Sequence, residues 1–151
     1  MRYKSTVKVP LMPPVEWTPE DFVFVRQLDA DHRRIFEQLE KVRQAVDDED
    51  GQANQLGLRV WRLSKDLSIH LASEERLMRQ WGYPALEWHE SQHRAGRNKM
   101  GRLVVAIRDG RGDGQASAFE DLVKWKKDHI HLADRMFAAH LRNEQRERLA
   151  S

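Results

Sequence analysis

Two histidine-bearing pairs on either side of one tight turn restrict this chain more than any other feature. His70 stands four residues before Glu74, and His89 four before His93. Residues four apart share one face of an α-helix, so each pair can address a single object. Between them lies Trp81-Gly82-Tyr83-Pro84, a glycine helix stop followed by a proline suited to a first helical turn. His70 and Glu74 precede Gly82 by 12 and 8 residues, and His89 and His93 follow Pro84 by 5 and 9. A chain that reverses at the turn brings both pairs to about the same height on antiparallel helices. Three imidazoles and a carboxylate then converge inside a helical hairpin, and such a set suits a metal ion.

The flanking segments supply the rest of a helical domain. A first helix is expected from Asp29, as N-cap, to about Val46, with Ile35, Phe36, Leu39, Val42 and Val46 as its apolar stripe. The second runs from about Asn54 to Trp81 along Leu56, Val60, Leu63, Leu67, Leu71 and Met78. A third follows Pro84 and carries Leu86, Met100, Leu103, Val104 and Ile107. The fourth opens at the capping-box pattern Ser117-Ala-Phe-Glu120 and continues through Leu122, Trp125, Ile130, Ala133, Met136 and Phe137 to about His140. Residues 1–15, rich in proline, read as an extended N-terminal arm. Trp17 and Phe22–Val25 are expected to pack that arm across one end of the domain. Residues 141–151 read as a polar, frayed C-terminal tail. The expected fold is all-α, an up-and-down antiparallel four-helix bundle spanning residues 16–140.

Heights test this bundle. His32 lies 15 residues before Asp47 and His70 lies 16 after Asn54; His93 lies 16 before Asp109 and His129 lies 12 after Ser117. Histidines from all four helices therefore meet at one level. Five unrelated core histidines explain that agreement poorly. On the fourth helix the spacing leaves a choice: His129 and Asp134 are five apart, whereas His131 and Asp134, three apart, look like the better-aligned pair.

Composition removes several alternatives. The chain of 151 residues has no cysteine, which excludes disulfides and sulfur-ligated metals. A net charge of +2 with dispersed basic residues argues against a nucleic-acid face. The acidic turn at residues 47–53 lacks the alternating ligands of a calcium loop. The glycine-rich turn at residues 109–114 lacks the lysine and hydroxyl of a phosphate loop. With no signal-like or membrane-spanning apolar run, the expectation is a cytoplasmic, monomeric protein with no nucleic-acid or membrane partner.

His32, His70-x3-Glu74, His89-x3-His93 and His129-x4-Asp134, with Trp17, Leu28-Asp29, Glu75, Met78, Tyr83-Pro84 and Trp125, resemble the hemerythrin family, including its single-domain bacterial members. The resemblance selects His129 over His131, which requires a locally widened helix such as a π-bulge. It implies two non-haem iron ions: one held by His89, His93 and His129, the other by His32 and His70. Glu74 and Asp134 would bridge them beside an oxo or hydroxo oxygen. Two octahedral ions so furnished keep one open position, on the iron with two histidines. The implied function is reversible binding of dioxygen, as peroxide, for storage, delivery or sensing; azide and nitric oxide are related small ligands. Alternatives are a di-iron redox enzyme acting on dioxygen, peroxide or nitric oxide, and a regulatory or iron-storage module. The chain lacks the two Glu-x-x-His motifs, one on each of two helices, of catalytic ferritin-like bundles, so ligand binding is expected rather than turnover. Trp125, Leu71 and Lys126 are the implied neighbours of the bound ligand. Family members usually carry Phe and Leu where this chain has Leu71 and Lys126. Lys126 is expected to snorkel outward, leaving only its stem at the pocket.

Overall fold

The computed structural model describes residues 12–47, 53–110 and 112–151. The first eleven residues of the arm and most of the acidic turn lie outside them. Helix α1 spans Arg26–Asp47, α2 Ala53–Gln80, α3 Leu86–Asp109 and α4 Gly112–His129; a π-helical segment, Ile130–Asp134, leads without a break into α5, Arg135–Ala150. Each of α1 to α4 packs against the next, and α4 closes the ring on α1. The result is an all-α bundle, with no strand among the described residues.

Apolar side chains at helical spacing build the interior. Leu28, Ile35, Phe36, Leu39 and Val42 of α1 meet Val60, Leu63, Leu67, Leu71 and Met78 of α2, with Met100, Leu103, Phe119, Leu122 and Phe137 from the other side. Val104 and Met136, expected in the stripes, are 40% and 45% exposed. For Met136 the reason is the π segment. One extra residue in the turn rotates everything downstream by about 100°, so Phe137, Ala138 and Leu141 face inward instead.

The helix ends depart from the sequence reading in three places. Helix α1 begins at Arg26, three residues before Asp29. The Asp29 carboxylate reaches back to accept from the backbone N–H groups of Val23 at 2.8 Å and Phe24 at 3.0 Å. That clamp holds Phe24 at φ 64°, a left-handed conformation costly for a residue with a Cβ. Helix α4 starts at Gly112 rather than Ser117; packing of Ala116, Ala118 and Phe119 on the core extends it past the local cap signal. Beyond His140 the chain continues as helix. It stays helical to Ala150, with Leu141 buried and the Arg148 guanidinium 3.9 Å from the Trp81 ring centre. His140 is thus mid-helix, its Nε2 3.1 Å from the Trp81 carbonyl oxygen at the α2–α3 turn. The turn itself depends on Gly82 at φ 59°, which lets the Tyr83 N–H return to the Met78 carbonyl.

Residues 12–25 strap the bundle along α1 and the last helix. Met12, Val15 and Val23 are buried, whereas Phe24 is 73% exposed, contrary to its expected packing role. The Val15 N–H donates to Glu40, and Arg135 and Arg142 donate to the Glu20 and Val23 carbonyls. The fastening point is Asp21, fully buried, which accepts from the Thr18 N–H and Lys127 Nζ and lies 2.8 Å from His131 Nε2. Burial pushes its carboxyl pKa up, but Lys127, Thr18 and His131 outweigh that and hold it below 3.8. Stability from a depressed carboxylate is present above its unfolded value and lost as pH falls through the folded one. Asp21→Asn should therefore cost about 1.5–3 kcal/mol near neutrality. The gap between variant and wild type in urea melts should close as pH drops below 3.8.

Candidate metal centre

At mid-height the apolar stripes give way to histidine and carboxylate. His32 on α1, His70 and Glu74 on α2, His89 and His93 on α3, and His129 and Asp134 across the π segment are all buried. Their donor atoms form two groups: Glu74, His89, His93, His129 and Asp134, and His32, His70, Glu74 and Asp134. Within each group the atoms lie within 4.8 Å of one another. The two carboxylates belong to both.

The carboxylates divide their oxygens between the groups. Glu74 Oε1 lies 2.7 Å from His89 Nε2 and 3.6 Å from His93 Nε2, while its Oε2 lies 3.0 Å from His70 Nε2. Asp134 Oδ1 lies 3.0 Å from His129 Nε2 and 3.2 Å from His89 Nε2, while its Oδ2 lies 3.1 Å from His32 Nε2. Despite these separations, none of the carboxylate oxygens or Nε2 atoms has a hydrogen-bond partner among the described residues. Buried polar atoms are normally paired. Atoms this close and still misaligned for hydrogen bonding aim at common points, as ligands of a shared cation do. The donor set fits metal ions.

The π segment makes the fourth-helix pair possible. A regular helix would put residues five apart on diverging faces; the wider turn brings His129 and Asp134 within contact. His131 points away, toward Asp21. Two carboxylates outside the cluster orient imidazoles from behind. Asp31 lies 3.3 Å from His70 Nδ1, and Glu75 lies 2.9 Å from His93 Nδ1 while also accepting from Arg97. Such partners leave Nε2 free as the ligating nitrogen. The sequence reading missed Asp31. Its signal is adjacency to His32, which by itself indicates nothing.

Electrostatics follow from burial and the shared carboxylates. Glu74 and Asp134 suffer burial, and Glu74 the repulsion of its partner, yet the surrounding histidines hold both well below the usual carboxylate range. Burial works against a charged His89, but Asp134 and Glu74 lift it to about 9. His32 and His129 go down, chiefly through burial.

Leu71, Trp125 and Lys126 are 0%, 8% and 1% exposed. The Trp125 indole stacks on His129, ring centres 4.8 Å apart at 19°. It fits because α3 carries Gly96 opposite. A Cβ at Gly96 would stand 2.3 Å from Trp125 Cη2. Gly96→Ala should thus push the indole off His129 and cost about 1–3 kcal/mol by overpacking, readable as a lower urea midpoint with altered tryptophan fluorescence. Lys126 overturns the expectation of an outward snorkel: stem and ammonium are both inside, because α4 turns that position toward the bundle interior with Trp125 and His129. A cleft of about 250 Å³ between α1 and α2, lined by Gln27, Asp31, Ser73 and Arg76, reaches His70 and Glu74.

Fold and site together define a metal-binding helical bundle. The family model of the hemerythrin HHE cation binding domain matches residues 23–141, and the chain belongs to the hemerythrin family. No curated protein matches it. No helix among the described residues is long and apolar enough to cross a membrane.

Proposed function

We propose that the chain is a non-haem di-iron protein that binds dioxygen reversibly. The observation that carries this reading is the division of the Glu74 and Asp134 oxygens between a three-histidine and a two-histidine group. In it, His89, His93 and His129 would hold one iron and His32 and His70 the other, with Glu74 and Asp134 available to both. The larger group offers five donor residues, more than zinc, usually four-coordinate, takes up, and imidazole with carboxylate suits iron. When bound, the iron pair supplies the electrons that hold dioxygen.

The protein's own residues provide the rest. Asp31 and Glu75 fix the imidazoles of His70 and His93. Leu71 and Trp125 present apolar surface that keeps bulk water from the bound gas. The α1–α2 cleft offers a small molecule a way toward the two-histidine side. Among the described residues, the carboxylates beside the ligands, Asp31 and Glu75, are engaged by imidazole and guanidinium, which favours binding over turnover.

The test is the visible spectrum of anaerobically reduced, iron-loaded protein on exposure to air. A ligand-to-iron charge-transfer band that appears with air and vanishes under vacuum supports the proposal. Steady oxygen consumption with a reductant, beyond that of free iron, points instead to a redox enzyme.

A further inference from the structure

Lys126 is the one buried ammonium in the described interior. Only 1% of the residue is exposed, and Nζ has neither a hydrogen-bond partner nor a carboxylate in ion-pair range among the described residues. The nearest aromatic face, Trp125, is 5.9 Å from Nζ, at the outer edge of a cation–π contact. A buried charge left unpaired is costly, so its environment is complete only when something negative joins it.

The position of the charge identifies where. Lys126 lies one turn before His129 on α4, on the same buried face and beside the centre. Of the two donor groups, the two-histidine one is the less furnished, with four donor residues against five, so it is where an added ligand has room.

We propose that Lys126 makes the two-histidine side of the centre selective for small anions, donating a charge-assisted hydrogen bond to an acceptor atom of the bound anion. The proposal rests on the di-iron reading above and adds to it a specificity residue. Two ferric ions with two carboxylates and an oxo bridge carry about +2, and such charge belongs in the balance. Lys126 raises it further, and a monoanion with a second acceptor atom offsets both. Nitric oxide, which takes up less charge on binding than dioxygen held as peroxide, gains less from the same ammonium.

The experiment compares iron-loaded wild type with Lys126→Met, which keeps the stem and removes the charge, and Lys126→Gln, which keeps a neutral donor. Azide is titrated into the oxidised proteins by absorption, and its antisymmetric stretch is recorded by infrared spectroscopy. Nitric oxide is titrated into the reduced proteins as the neutral probe. Azide should bind Lys126→Met at least about tenfold more weakly, as loss of a charged hydrogen bond implies, with Lys126→Gln between. The stretch should shift, and nitric oxide affinity should stay within about twofold. Metal-free Lys126→Met should melt higher than metal-free wild type, because a buried charge is gone. Equal azide affinities, or parallel losses for azide and nitric oxide, overturn the proposal. A wild type that takes up fewer than two irons instead overturns the di-iron reading beneath it, which the iron count shows separately. Should Lys126→Met not fold, the Lys126→Gln comparison decides alone.

Discussion

An Asp134→Ala chain is expected to retain at most one iron after reconstitution, whereas wild type and His131→Ala each retain two. Asp134 gives one oxygen to His89 and His129's group and the other to His32's group, so its removal weakens both subsites together. The two-histidine side suffers more, since it falls from four donors to three and has no nearby replacement. His131 sits one turn away and is the tempting substitute by sequence spacing, but its Nε2 belongs to Asp21. Metal analysis alongside circular dichroism separates lost ligation from lost folding. Two irons in Asp134→Ala with one missing from His131→Ala would reverse the ligand assignment on the last helix.

Stripping the metal should produce the largest change in stability. Donors come from all four bundle helices, so a bound ion adds free energy that only the folded ring can collect. Free metal at about 1,000 times the dissociation constant contributes roughly 4 kcal/mol. For a domain of about 150 residues that corresponds to roughly 10 °C in Tm. Metal-free protein also leaves the donor atoms of five imidazoles and two carboxylates buried without hydrogen bonds, which enlarges the gap. Calorimetric scans before and after chelation measure it. Superimposable scans would argue against a site inside the bundle.

Much of this centre is legible in the sequence because helical periodicity is rigid. Residues four apart must share a face, and a turn fixed by Gly82 and Pro84 sets relative heights, so counting from the turns brings the histidines to one level. The earlier start of α4 improves that count: His129 lies 17 residues after Gly112, against 16 from His93 to Asp109. Periodicity fails where the helix is irregular. The five-residue step from His129 to Asp134 is misread by any fixed period, and so is the inward side of α5 beyond it. The Lys126 prediction failed for a different reason. A flexible stem can reach either way, and hydration favours the outside; the helical register, which puts Lys126 four residues from both buried Leu122 and Ile130, outweighs that preference. Asp31 and Gly96 were invisible because each acts on a neighbouring helix. Their roles exist only once α1 meets α2 and α3 meets α4.

The π segment also determines which changes in chain length this protein can tolerate. Deleting one residue from Ile130–Ala133 would restore an unbroken α-helix and its regular backbone ladder, a local gain in order. The same deletion would turn α5 by about 100° relative to α4. Either His129 and Asp134 would part, or Phe137, Ala138 and Leu141 would swing off the core. Ordinary helices absorb such a deletion by sliding at a loop. This one has ligands upstream and core contacts downstream, so a shortened reading frame here is more damaging than most point substitutions in the same five residues. The irregular turn is thus fixed in length by two demands that no single straight helix can meet.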